Sequence, residues 1–373
     1  MSKRGTFNFI ILLSFLLCFS AAVIASTGCE WNSVVKRNDK AQTTITTAKT
    51  TKKTQKTTTA TTTTAAPTIF DPLTGLPAEN DSFSRPISVC IGNTPNALPQ
   101  YGLEKADILV EAQVEGGITR LMAIISDYSS LSRVGSVRST RDYIFNLSED
   151  FGAVALYAGT SDVTSGKAIS GKDTLDYIHQ NLSSVFYRDT SLSAPHNLMT
   201  DGDRITAGIS AAGYSTELPS DFSAPLVFES YGKTASLGSS ATGASIAYSS
   251  IQASDFKYNP ETGLYDKSGA VTLSKGGGIS ASQSFANIVV LFCNATIKET
   301  AGNSNELELD TVSGGKGIAL TGGTYCDIKW SRSAKDGSLK LTHTDGSQLY
   351  LNRGRTYIGL MRVSLENNVR ISK

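Results

Sequence analysis

The chain runs to 373 residues, with 34 Lys and Arg against 33 Asp and Glu, a formal charge of +1 and 40% hydrophobic residues. The charge is unevenly placed: residues 1–64 carry nine Lys and Arg against Glu30 and Asp39, or +7, so residues 65–373 sum to about −6. An acidic body of this size, long enough for two cores, argues against nonspecific nucleic-acid binding.

The chain opens as a secretory signal. Lys3 and Arg4 precede an apolar run from Phe7 to Ile24, and small residues follow. The run ends in Ser26-Thr-Gly-Cys29, which resembles a bacterial lipobox. In such signals the Cys is lipidated and becomes the mature N-terminus, and Cys29 is the expected lipidation site. Ser26 departs from the usual Leu, so cleavage after Ala25 and an uncleaved anchor remain open. No other run approaches the ~20 apolar residues of a membrane span. The expectation is an extracytoplasmic body tethered to the membrane through a lipid anchor.

From Thr43 to Thr64, 14 of 22 residues are Thr. Such a stretch has too little apolar surface to offset the entropy of ordering it, and it reads as a disordered spacer. The segment from Cys29 to Phe70 would span up to ~130 Å fully extended. Its positive charge fits attraction to anionic lipid or wall polymer, and equally fits a merely soluble linker.

The body begins with the turn-rich Asp71-Pro-Leu-Thr-Gly-Leu-Pro77. Pro86–Ile91 reads as a strand, and Asp107–Arg120 as a hairpin. Arg141–Asp150 reads as a helix with Ile144, Leu147 and Phe151 on one face. Phe151–Tyr157 reads as a strand and Asp173–Leu182 as a helix, with helix and strand signals alternating to about Tyr214. From Pro225 short β-rich runs separated by Gly, Asn and Asp turns predict a meander, ending in Thr356–Val363. The predicted class is α+β: a mixed layered-sheet N-terminal domain over 70–220 and a β-rich C-terminal domain over 221–373, after a signal (1–29) and a spacer (30–69).

Cys90, Cys293 and Cys326 read as buried free thiols, with a Cys293–Cys326 disulfide as the alternative. No CxxC or HxxxH supports a metal site, and no cofactor is expected. Ser313-Gly-Gly-Lys-Gly317 lacks P-loop spacing, and Asp201-Gly-Asp203 lacks the remaining ligands of a calcium loop.

The hairpin carries the first candidate site. Alternation sends Leu109, Glu111, Gln113 and Glu115 to one side. A two-residue turn at Gly116-Gly117 would oppose Glu111 to Met122 and Gln113 to Arg120, leaving Arg120 diagonal to both Glu111 and Glu115. The alternative is a solvated charge ladder, worth a few tenths of a kcal/mol per pair. Beyond it, Ser139 fits an N-cap with Asp142 three residues on. Arg138 and Arg141 flank that helix start, an anion-binding arrangement unless they serve internal salt bridges. In Ala194-Pro-His196-Asn197, His196 is the histidine best placed for acid–base or ligand contact, although loop histidines often only bond to backbone. His179 and His343 read as surface residues.

These segments resemble the YerB-like family of bacterial lipoproteins, whose activity is not established. The resemblance runs from Asp71 to the C-terminus. It rests on Asp71-Pro-Leu-Thr-Gly-Leu-Pro77, Arg85-Pro-Ile-Ser-Val, Pro99-Gln-Tyr-Gly-Leu, Ala106-Asp-Ile-Leu-Val-Glu111, Val114-Glu-Gly-Gly-Ile-Thr-Arg120, Val134-Gly-Ser-Val-Arg-Ser-Thr-Arg141 and Ala194-Pro-His-Asn197. It implies a mixed α/β N-terminal domain with layered sheets and a β-rich C-terminal domain. The chain departs from the family's usual pattern at Gly92, where members carry Asp, and at Tyr157-Ala-Gly-Thr160, where they carry His-x-Gly-Gly.

Two functions compete. One is an envelope module that binds an anionic wall polymer or peptide carboxylate through Arg120, Arg138 and Arg141, with Ser139 and Asn197 lining the site. The other is a cell-wall hydrolase with Glu111, Glu115 and His196 as acid–base groups. Residues i and i+4 on a strand stand ~13 Å apart, wider than the ~6.5–9.5 Å of an inverting glycosidase. His196 with one Glu is therefore the better pair. A purely structural or partner-binding role is the third option.

Overall fold

The computed structural model describes residues 66–160, 169, 171–268, 283–299, 305–332 and 337–373. The signal, Cys29 and the Thr-rich spacer lie outside the described residues.

The first half supplies β1 (Ile87–Gly92), β2 (Ile108–Gln113), β3 (Thr119–Ile125), β4 (Val134–Gly135), α1 (Asp142–Asp150), β5 (Val154–Tyr157), β6 (Thr174–Asp176), β7 (Tyr187–Arg188), β8 (Leu198–Thr200) and α2 (Gly202–Ala212). The second half supplies β9 (Ser239–Ser240), β10 (Gly243–Ala247), β11 (Ala253–Asn259), β12 (Leu264–Ser268), β13 (Gln283–Phe285), β14 (Asn287–Cys293), β15 (Ala295–Glu299), β16 (Asn305–Leu309), β17 (Gly315–Thr321), β18 (Thr324–Arg332), β19 (Leu339–His343), β20 (Thr356–Arg362) and β21 (Val369–Ser372), with a short 3-10 helix at Val363–Asn368. The chain is therefore β-rich in both halves, and both of its described α-helices precede residue 221.

An eleven-stranded sheet runs in the order β19-β18-β17-β14-β20-β2-β3-β1-β5-β6, with β9 beside β18. Strands from before and after residue 221 share it. β20 lies parallel both to β14 and to β2, pairing Ile358 with Val289 and with Val110. All described residues fall in one compact unit, Thr63–Lys373. The change of composition near Pro225 marks where helices stop, not where strand pairing stops. The expected meander is seen in β10–β13, which pair in sequence and are closed into a five-stranded sheet by β21, and again in β17–β19 at one end of the large sheet.

β1, β2, β3 and β14 are buried along their whole length, which explains why they read as near-continuous apolar runs. Alternation splits their side chains between two cores. Leu109, Leu121, Val89, Val290 and Tyr357 meet Ile246, Tyr248, Phe256 and Phe285 of the five-stranded sheet. Val110, Met122, Val289 and Leu360 meet Tyr143, Ile144 and Leu147 of α1 and Leu307 and Leu309 of β16.

Asp173–Leu182 is not a helix. Leu175 is buried in β6, parallel to β5. The Asp176 carboxylate then accepts from the N–H of Ile178 at 2.9 Å and of Gly159 at 2.9 Å, fixing a turn where the sequence suggested helical spacing. Asp201-Gly-Asp203 is the start of α2: Asp201 is its N-cap, accepting from Arg204 N at 3.0 Å. Gly202 allows a close approach there, since a Cβ would stand 2.4 Å from the Ser129 carbonyl.

Candidate functional site

The hairpin register differs by one from the expected one. Val114 N donates to Ile118 O at 3.0 Å, closing a three-residue loop, Glu115–Gly117, in which Gly116 and Gly117 have φ of 71° and 74°. Glu115 is drawn out of the strand because its carboxylate is held elsewhere. Arg141 grips it with two bonds of 3.1 and 2.6 Å, and Leu307 N donates to it at 3.2 Å. The longer loop opposes Glu111 to Leu121 and Ala112 to Arg120. A one-residue slip moves every side chain to the other face, so Glu111 and Arg120 lie on opposite faces of the sheet.

Glu111 is fully buried between the two sheets. Its Oε1 accepts from Thr119 at 2.7 Å, Asn93 at 3.1 Å and Gln252 at 3.3 Å. Its Oε2 accepts from Ser254 at 2.6 Å and Tyr357 at 2.8 Å, with Lys267 Nζ 4.0 Å away. The carboxylate is solvated by protein and ties β2 to β11, β12 and β20. It has neither access to substrate nor contact with Glu115 or His196, so the expected Glu111–Glu115–Arg120 cluster does not form.

The other face gathers the basic residues. Arg120 is 9% exposed, and its Nε makes no hydrogen bond. Burial pushes its guanidinium below its ordinary value, Arg141 and Arg138 add to that push, and Cys90 and Glu115 oppose it. Arg138 is half-buried and donates from Nη1 to the Pro195 carbonyl at 3.0 Å. Arg141 is occupied: burial works against its charge, but Glu115 outweighs it and raises the guanidinium. Glu115 is correspondingly held below the usual carboxylate range, burial notwithstanding, chiefly by the Arg141 hydrogen bonds. Cys90 forms the floor, fully buried, its thiol pushed up by burial against the pull of Arg120 and Arg141.

His196 joins this face from the loop before β8. It is half-buried, and its buried Nδ1 has no hydrogen-bond partner. Burial, then Arg138 and Arg120, push its pKa down, so it is neutral at neutral pH. Asn197 faces inward and is already used. It accepts from Arg188 at 2.8 Å and donates to the carbonyls of Asp189 and Leu192 at 3.2 and 3.4 Å, which holds the loop that presents His196. Ser139 is not an N-cap. That position belongs to Arg141, and no side chain caps α1; Ser139 Oγ instead accepts from Arg141 at 3.3 Å. The capping box fails because the Arg141–Glu115 pair holds this turn in extended backbone.

Sequence reasoning missed Ser136, and met Gly92 only as a departure from the family's usual pattern. Ser136 is fully buried with an unpartnered Oγ. Gly92 is the cross-strand partner of Arg120. A Cβ on Gly92 would stand 3.2 Å from Arg138 Cγ and 3.4 Å from Ser136 Oγ, so the glycine admits both side chains close to β1. The signal was the spacing: Ser136 and Arg138, two apart in an extended segment, share a side. Of the remaining histidines, His179 is exposed and bonded to Asp176, and His343 lies 3.6 Å from the Cys326 thiol. Cys90, Cys293 and Cys326 are all free.

Comparison with known proteins agrees with this architecture. Two family descriptions match, "Protein of unknown function (DUF3048) N-terminal domain" over residues 73–215 and its C-terminal counterpart over 244–358. A Bacillus subtilis (strain 168) protein named "Putative lipoprotein YerB" is 29% identical over 298 residues, covering 78% of this chain and 85% of that one. The crystal structure of the YerB protein from Bacillus subtilis superimposes with a TM-score of 0.68 at 27% identity, covering 82% of this chain and all of that one. With the two domains matched in order and the fold shared along most of its length, the chain belongs to the YerB-like family of DUF3048 proteins.

Proposed function

We propose that the protein is a lipid-anchored envelope module, tethered through Cys29 and the Thr-rich spacer, that binds an anionic ligand on the face formed by Arg120, Arg138, Ser136 and His196. The observation that carries this reading is Arg120. It is a nearly buried guanidinium with an unmade hydrogen bond, pushed on by two like charges and drawn only without direct contact by Glu115. Burying a charge without a close partner is unfavourable by several kcal/mol, and an anion would supply both the close counter-charge and the missing acceptor. The named relative, a "Putative lipoprotein", supports the anchored setting.

Acid–base hydrolysis has less support. Glu111 is enclosed on the opposite face, and Glu115 is held ionised by Arg141. His196 therefore has no carboxylate partner among the described residues.

The test is retention of the purified full-length protein on isolated cell walls. Arg120→Gln combined with Arg138→Gln should abolish retention while leaving circular dichroism unchanged. Unchanged retention by a folded double variant would overturn the reading.

A further inference from the structure

We propose that this face takes a phosphate monoester group, a free phosphate end rather than a carboxylate; the proposal rests on the anion-binding reading above. Its donors arrive from three separate stretches of backbone. Arg120 comes from β3, Ser136 and Arg138 from the extended segment after β4, and His196 from the loop before β8. Gly92 and Arg120 face the same side as cross-strand partners. The Arg138 stem and the Ser136 hydroxyl close over that same position.

The unmade bonds decide the class. Arg120 Nε, Ser136 Oγ and His196 Nδ1 are each buried without a partner. A carboxylate offers two coplanar oxygens and one negative charge, and each buried group that a ligand left unsatisfied would cost about 1–3 kcal/mol. The terminal oxygens of a phosphate point in tetrahedral directions and can accept from side chains that converge from separate elements.

Charge points the same way. Glu115 pairs with Arg141 at 2.6 Å and acts on Arg120 without a direct contact, so no described carboxylate stands within ion-pair distance of Arg120 or Arg138. Two guanidinium groups without an ion-pair partner match a phosphate monoester, which is close to dianionic at neutral pH. A carboxylate or a phosphodiester brings one negative charge. His196, kept neutral by its surroundings, adds a hydrogen-bonding group without a third charge.

The test is calorimetric titration of the full-length protein in detergent micelles at neutral pH and matched ionic strength. The probes are glycerol 1-phosphate, dimethyl phosphate and acetate. Glycerol 1-phosphate is expected to bind about tenfold or more tighter than either of the others. Ser136→Ala and Arg138→Gln, each checked for fold by circular dichroism, should each weaken glycerol 1-phosphate by about tenfold and change acetate little. Acetate binding as tightly as glycerol 1-phosphate would overturn the phosphate class while leaving the anion-binding reading intact. Dimethyl phosphate binding as tightly would overturn the monoester form. Failure of all three probes, together with unchanged wall retention by the Arg120/Arg138 double variant, would overturn both readings.

Discussion

Glu111 stands opposite Leu121 across the hairpin while Arg120, one residue away, stands opposite Ala112, so this carboxylate and this guanidinium occupy opposite faces of one sheet. The separation gives them different work. Glu111 is satisfied by five donors between two sheets. Arg120 is enclosed on the side of α1 with an unmade bond. One is part of the frame, and the other is what a ligand would answer.

Arg120→Met should show this directly. Methionine is apolar, flexible and able to fill the stem's space. Replacing a buried, uncompensated charge is neutral or stabilising by about 1–2 kcal/mol. Urea denaturation without ligand should therefore show equal or greater stability, alongside lost wall retention. A loss greater than about 2 kcal/mol would mean that the charge is needed by the fold itself.

Glu111→Ala should behave in the opposite way. It leaves Thr119, Ser254, Tyr357 and Asn93 facing a void between the sheets. The expected destabilisation is about 3–5 kcal/mol, and that of the isosteric Glu111→Gln is smaller, about 1–3 kcal/mol. Glycerol 1-phosphate titration of the Gln variant should match wild type. Abolished binding in a stable Gln variant would contradict the separation of the two faces.

Stability should fall as pH rises through the range of Asp150. Burial, set against the opposing pull of Arg332, lifts its carboxyl from 3.8 to about 7. A raised folded-state value means that the folded protein holds the proton more tightly. The contribution is then full below about pH 3.8 and is lost as pH rises to about 7. The span corresponds to something on the order of 4 kcal/mol. Asp150→Asn should flatten the stability difference between these limits in urea titrations of variant against wild type. An unaltered slope would remove Asp150 as the cause.

The body cysteines should label in a fixed order. Cys326 is half-exposed, although burial pushes its thiol up to about 11, so it should react slowly with maleimide in the native state. Cys90 and Cys293 are buried and should react only on unfolding. Mass spectrometry of the labelled, non-reduced protein should find all three modified in denaturant. A Cys293–Cys326 disulfide peptide would refute the free-thiol assignment.

How much of this was legible is best judged at particular residues. The strands β1, β5 and β20 were readable because their apolar runs are local. The candidate face was half legible. Arg138 and Arg141 stood out by their place before a helix, and His196 by its scarcity. Ser136 did not, and Gly92 stood out only against the family's pattern, because a serine and a glycine in an extended segment do not reveal a shared site until a neighbouring strand brings Arg120 beside them.

By itself, the sequence determined many of the strands and the helix at α1, since each follows from periodicity over a short window. Only the tertiary structure decided which residues meet. β20 enters between β14 and β2 from far along the chain, and strand pairing of that kind leaves no local trace. The hairpin register was decided by Glu115, whose carboxylate is claimed by Arg141 and by Leu307 N. That contact, made between distant parts of the chain, lengthened the loop by one residue and moved Glu111 away from Arg120.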